Sequence, residues 1–182
     1  MTQKHPLSLF KFCPRCGSPR FVENDSRSKR CADCGFTLYH NASAATVAVI
    51  LNPRGELLVA RRAKEPARGT LDLPGGFVDA GESVEQGCLR EVREETGAEA
   101  EIVRFLFSLP NTYLFSGFEV HTADSFFLVR LTGDWQAVRA DDDAAALMWL
   151  PIDRINPEDF GLLSIRRGVE RLIERMKGMP PV

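Results

Sequence analysis

The chain has 182 residues, 44% of them hydrophobic and 26% charged, with a formal net charge of −2. This is the balance of a globular chain able to bury a core, and it excludes whole-chain electrostatics as a reason to expect nucleic acid or an anionic membrane as principal partner. The opening "MTQKHPLSLFKFCPRCG" has no apolar run of signal-peptide length and nothing later approaches a membrane span, so the expected location is cytoplasmic.

The first informative elements are "CPRC" (Cys13, Cys16) and "CADC" (Cys31, Cys34), two C-x2-C pairs separated by fourteen residues. Each pair can turn two thiolates toward one point. Gly17 and Gly35 follow the second cysteine of each pair, where a tight turn calls for positive φ. Four sulfurs suit a closed tetrahedral Zn2+ site, and a closed site is structural because it keeps no position for substrate. Two disulfides or four reduced thiols are the competing readings, disfavoured in a chain without a secretion signal. The segment has few apolar residues, so metal binding is expected to supply much of its folding energy. Arg15, Arg20, Arg27, Lys29 and Arg30 make this ribbon basic. With Phe21 alone between the pairs, a solvated surface fits better than a stacking platform for nucleic acid.

Composition changes after "LYHNAS", placing a boundary near residue 40. "AATVAVILNPRGELLVARRA" reads as a hairpin whose turn uses Asn52, Pro53 and Gly55. "TLDLPGGFVD" reads as a strand and loop, followed by a helix from about Ser83 to Thr96 that ends at Gly97 as C-cap. Cys88 falls on that helix as a buried small hydrophobe. "AEIVRFLFSL", "DSFFLVRLTG" and "ALMWLPI" are further strands, and "SIRRGVERLIERMKG" is an amphipathic terminal helix. The expected class is a mixed α/β sandwich.

On the helix, Glu91, Glu94 and Glu95 stand at i, i+3 and i+4, so their carboxylates share one side and repel. Arg90 can reach Glu94, which leaves Glu91 and Glu95 facing each other without an evident partner. A hard divalent cation such as Mg2+ or Mn2+ would resolve the conflict, and the Gly75–Gly76 pair upstream would let backbone approach it. Taken as composition alone, the segment reads as a solvated acidic face rather than a metal site.

Gly76, five residues, Glu82, seven residues, Arg90-Glu91, apolar Val92, one residue, Glu94-Glu95, one residue, Gly97 and apolar Ala98 resemble the Nudix box at every defining position, and residues 42 to 177 resemble a Nudix hydrolase domain. The resemblance implies a Nudix-type α/β/α sandwich with mixed sheet over residues 41–182, preceded by the four-cysteine ribbon in 1–40. It implies that Glu91, Glu94 and Glu95 bind Mg2+ or Mn2+ with the Gly76 backbone near the metal. It also implies that Glu82 and Arg90 organise the site. The implied reaction is hydrolysis of a diphosphate joining a nucleoside to a group X. Glu91, Glu95, Glu119, Asp124, Asp141, Asp142 and Asp143 are all available as general base. The resemblance further implies a homodimer.

A ribbon joined to such a domain resembles the NADH pyrophosphatase group. That group carries a Ser-Gln-Pro-Trp-Pro-Phe-Pro run where this chain has "SLPNTYLFSGFEVHTADSFF", keeping only Ser108 and Pro110. NADH, NAD, ADP-ribose, another dinucleotide and a nucleotide sugar therefore stay open. Tyr113 and Phe115 are candidate base-stacking residues, as are Phe77 and Phe118, although in a β-rich domain such rings are ordinarily core. His5, His40 and His121 have no spacing that marks a role, and Trp135 and Trp149 read as packing residues. The alternative function is a nucleotide-sensing module in which the ribbon binds nucleic acid or protein.

Overall fold

The computed structural model describes residues 5–138 and 144–177, without the side chains of 144, 145, 176 and 177; the candidates Asp141, Asp142 and Asp143 lie outside these residues. The chain divides into two compact units, residues 1–42 with 114–120, and residues 43–113 with 121–182. Among the described residues no helix is long and apolar enough to cross a membrane.

The first unit holds an antiparallel meander of β1 (Phe21–Asp25), β2 (Ser28–Cys31) and β3 (Thr37–Tyr39). Its small core is Cys13, Phe21 and Cys31 with Cys34, Phe36 and Leu38 against them. Gly17 and Gly35 take φ of 73° and 74°, and their amides donate to the carbonyls of Cys13 and Cys31 at 2.8 and 3.0 Å. Positive φ at these two positions is what lets each C-x2-C turn close.

In the second unit, β4 (Ser43–Ile50) pairs in parallel with β8 (Phe118–Leu131), which lies beside β7 (Ala100–Phe115). β5 (Glu56–Arg62) stands between β6 (Leu71–Asp72) and β9 (Ala144–Pro151). The two helices are α1 (Val84–Thr96) and α2 (Leu163–Lys177). Side chains alternate across a strand, and here the alternation feeds two apolar layers. Val47, Val49, Leu57, Val59 and Phe126 enter one layer with Ile165, Val169 and Leu172 of α2. Ala48, Ile50, Leu58, Phe127 and Val129 enter the other with Cys88 and Val92 of α1. Both faces of these strands are covered, so they read as unbroken apolar runs. Trp135 and Trp149 pack edge to face at 5.6 Å.

The expected β4–β5 hairpin is not formed. The turn closes as anticipated, with Gly55 donating to the Asn52 carbonyl at 2.9 Å and one bridge from Leu51 to Leu57. Beyond it the strands enter different sheets. Each is apolar on both faces, and each finds its hydrogen-bond partners in distant segments.

Candidate active site

Helix α1 is held at both ends by local chemistry. Ser83 Oγ accepts from the Gln86 amide at 3.2 Å while Gln86 Oε1 accepts from the Ser83 amide at 2.8 Å, a capping box. Gly97 adopts the left-handed conformation at the other end. Cys88, Val92 and Thr96, four residues apart, form the buried stripe, which leaves Glu91 and Glu95 on the neighbouring stripe. Burial pushes the Cys88 thiol up to about 12.

The glycine loop pairs along β4. Ala48 and Thr46 amides donate to the carbonyls of Pro74 and Gly76 at 2.7 and 2.8 Å, and Val78 donates to Ala44 at 3.1 Å. At Gly75, with φ 147°, any side chain would strike the Thr46 carbonyl. At Gly76 an added Cβ would lie 2.6 Å from Glu91 Oε1.

Arg90 gathers the acids. Its Nε and Nη2 donate to Glu82 at 2.9 and 3.1 Å, its Nη1 to Glu91 and Glu94 at 2.9 and 3.0 Å, and Nη2 also to the Phe77 carbonyl at 2.9 Å. Glu82 in turn accepts from the Asp79 amide at 3.0 Å, tying the preceding loop to the helix. The guanidinium and that amide hold the Glu82 carboxyl below its ordinary value. Burial raises Glu91 in spite of Arg90. The expectation that Glu91 and Glu95 lack partners is corrected: Glu91 is bound by Arg90, and Glu95 accepts from the Gly75 amide at 3.1 Å. Arg90 Nη1 thus holds Glu91 and Glu94 near one another, while among the described residues no three carboxylates converge on one point.

Glu91 and Glu95 open onto a cavity of about 340 Å3 also lined by Arg61, Arg62, Lys64, Asp72, Gly75, Gly76, Phe77, Tyr113 and Asp124. Glu94, turned to Arg90, and Phe115, exposed in segment 114–120, are not among its lining residues. Glu119 belongs to that same segment, as does Phe118, whose ring packs against Phe10 and His40. Tyr113 has its hydroxyl proton held more tightly, first by burial and then by the charge of Asp124. Sequence reasoning missed Asn111, Thr122, Arg62 and Asp72 as cavity residues. The available signal was a polar residue on a buried register: Phe107, Leu109 and then Asn111 stand on one face of β7.

The sulfurs of Cys13, Cys16, Cys31 and Cys34 lie within 4.8 Å of one another. The Cys34 backbone amide pulls the Cys31 thiol down to about 7. Cys16 rises to about 12: the Ser18 amide favours its thiolate, but bonds to the other three thiols and desolvation outweigh it. Four crowded sulfurs cannot all ionise without a cation, so the donor set fits a thiophilic metal.

A sheet with a parallel β4–β8 pair and an antiparallel β6–β5–β9 sheet thus pack with two helices, and the acidic helix is clamped to a glycine loop beside a cavity. Residues 41–170 match the family model described as NUDIX domain, and the chain belongs to the Nudix family. It is 28% identical over 151 residues to the NAD-capped RNA hydrolase NudC of Pseudomonas aeruginosa (strain LESB58), covering 81% of this chain and 50% of that protein. It is 35% identical over 102 residues to the protein of that name from Stutzerimonas stutzeri (strain A1501), covering 56% and 36%. The chain thus spans half or less of the length of these relatives. The crystal structure of a NUDIX hydrolase from Nitrosomonas europaea shares the fold, with a TM-score of 0.73 at 24% identity over 94% of this chain and 95% of that one.

Proposed function

We propose that the protein hydrolyses the diphosphate of a nucleoside-diphosphate-X compound, a dinucleotide such as NADH, NAD or ADP-ribose, with Mg2+ or Mn2+ at Glu91, Glu94, Glu95 and the Gly76 backbone. The observation that carries the reading is the opening of Glu91 and Glu95 onto a cavity also lined by Arg61 and Lys64, cations suited to the phosphates of such a substrate. Glu91, Glu95 and Gly76, which line the cavity, offer the hard oxygens that suit Mg2+ or Mn2+, and Glu94 would join them on release from Arg90. Bound there, the cation supplies neutralisation of the diphosphate and an acidified water.

The protein's own groups do the rest. Arg90 keeps Glu82, Glu91 and Glu94 in place, and the Gly75 amide orients Glu95. Glu91 and Glu95 are the base candidates. The four thiols are proposed to hold a structural Zn2+. A cytoplasmic location, where such thiols stay reduced for metal, is part of the same proposal. The dinucleotide reading is supported by relatives named for action on NAD-capped RNA.

The test is hydrolysis of NADH, NAD, ADP-ribose, NAD-capped RNA, a diadenosine polyphosphate and a UDP-sugar with either metal, comparing native protein with Glu95→Gln. One compound should be cut at its diphosphate, with kcat lowered about 10²-fold or more by the substitution. Absence of cleavage of every compound with both metals refutes the proposal.

A further inference from the structure

The inner face of the β4–β8–β7 sheet changes character along its length. On β7, Phe107 and Leu109 sit in the larger apolar layer, and Asn111 and Tyr113 continue the same face. On β8, Phe126 sits in that layer, and Asp124 and Thr122 continue its face in the other direction. Asn111, Thr122 and Asp124 are only 4, 4 and 5% exposed, and all three line the cavity. Asn111 Oδ1, Thr122 Oγ1 and Asp124 Oδ1 are each buried with no hydrogen-bond partner in the protein. The other Asp124 oxygen accepts from the Ser164 hydroxyl at 2.5 Å, and Ser164 is fully buried.

Polar atoms buried without partners are costly, and apolar side chains would have continued the core at these positions. Nearby charge does not answer them: Arg62, also on the cavity, is committed to Asp72 and to the Pro66 carbonyl. A carboxylate offers acceptors only, so Asp124 sets the polarity of the patch.

We infer that Asn111, Thr122 and Asp124 form a subsite for a planar ring bearing an –NH2 group, whose two hydrogens are donated to Asp124 Oδ1 and Asn111 Oδ1. A purine amine and a pyridine carboxamide share this chemistry. A keto or carboxylate group in the same place sets acceptor against acceptor. A cavity of about 340 Å3 accommodates a group of nucleoside size. The subsite rests on the proposed hydrolase reading only for the placing of the rest of the substrate.

Calorimetric titration of the full chain, without divalent cation, tests it with two pairs: AMP against IMP, and nicotinamide mononucleotide against nicotinic acid mononucleotide. The amino member of at least one pair should bind about tenfold or more tightly than its partner, and the pair that discriminates identifies the ring. Asp124→Asn, which introduces a donor, should abolish the preference. Asn111→Leu should weaken the amino ligand selectively, and serves as an independent variant if Asp124→Asn fails to fold. Equal binding within both pairs, no binding of any of the four at millimolar concentration, or an unchanged preference in the folded variants overturns the subsite. None of these outcomes depends on hydrolysis, so a failure here leaves the panel result standing, and the reverse.

Discussion

Gly76→Ala isolates the contact between the glycine loop and the acidic helix. The added Cβ would lie 2.6 Å from Glu91 Oε1, 2.7 Å from its Cδ and 2.9 Å from Oε2. Ordinary contact begins at 3.4 Å, so the carboxylate must retreat by about 0.8 Å, the difference between 3.4 and 2.6 Å. The loop backbone has no comparable reason to move, because the struck atoms end a side chain. Misplacing a reacting or positioning group by about 1 Å costs roughly 10²-fold in rate. Steady-state kinetics on whichever compound the panel selects should therefore show kcat down by about 10²-fold, with KM changed much less. Scanning calorimetry should find the fold intact. A variant that keeps kcat within about threefold of native refutes the contact's importance, and so does a loss that merely follows the fraction unfolded.

Removing the capping hydroxyl with Ser83→Ala should lower stability by about 1 kcal/mol in urea unfolding, because Ser83 Oγ satisfies the Gln86 amide; an unchanged midpoint would show that the cap contributes nothing. After chelation, which takes away much of the ribbon's folding energy, alkylation should reach the four ribbon thiols and should spare Cys88, buried under α1, until denaturant is added. Cys88 also carries a pH signature. Its folded-state value of about 12 stands above the ordinary 9.0, so the fold favours the neutral thiol; that stabilisation is complete below pH 9 and is lost as pH climbs toward 12. Native-state mass spectrometry that finds Cys88 modified as fast as the ribbon thiols would contradict its burial.

Much of the candidate site was legible because it obeys short-range rules. Glu91, Glu94 and Glu95 fall on neighbouring helix stripes by periodicity alone, and Arg90 reaches Glu94 from one turn away. What periodicity could not say is where each carboxylate finds its partner. Arg90 also bonds Glu91, the adjacent residue, and Glu95 accepts from Gly75, twenty residues earlier. Tyr113 was singled out for its ring and does line the cavity. Asn111 was passed over because an asparagine in a strand pattern resembles any exposed polar residue until its face is known to be buried.

Sequence alone determined the locally encoded features: the two C-x2-C turns with their glycines, the capped helix α1, and the short apolar runs that make β4 and β5 strands. Each depends on residues within a few positions of one another, where backbone sterics and hydrogen-bond reach decide the outcome. Tertiary structure decided that β4 pairs with β8 and β5 with β9, since strand partners are chosen by burial on both faces across long separations. The same packing turned Asn111, Thr122 and Asp124 inward on the sheet faces that meet the core, and only that packing leaves three ordinary polar residues with buried, unpartnered oxygens.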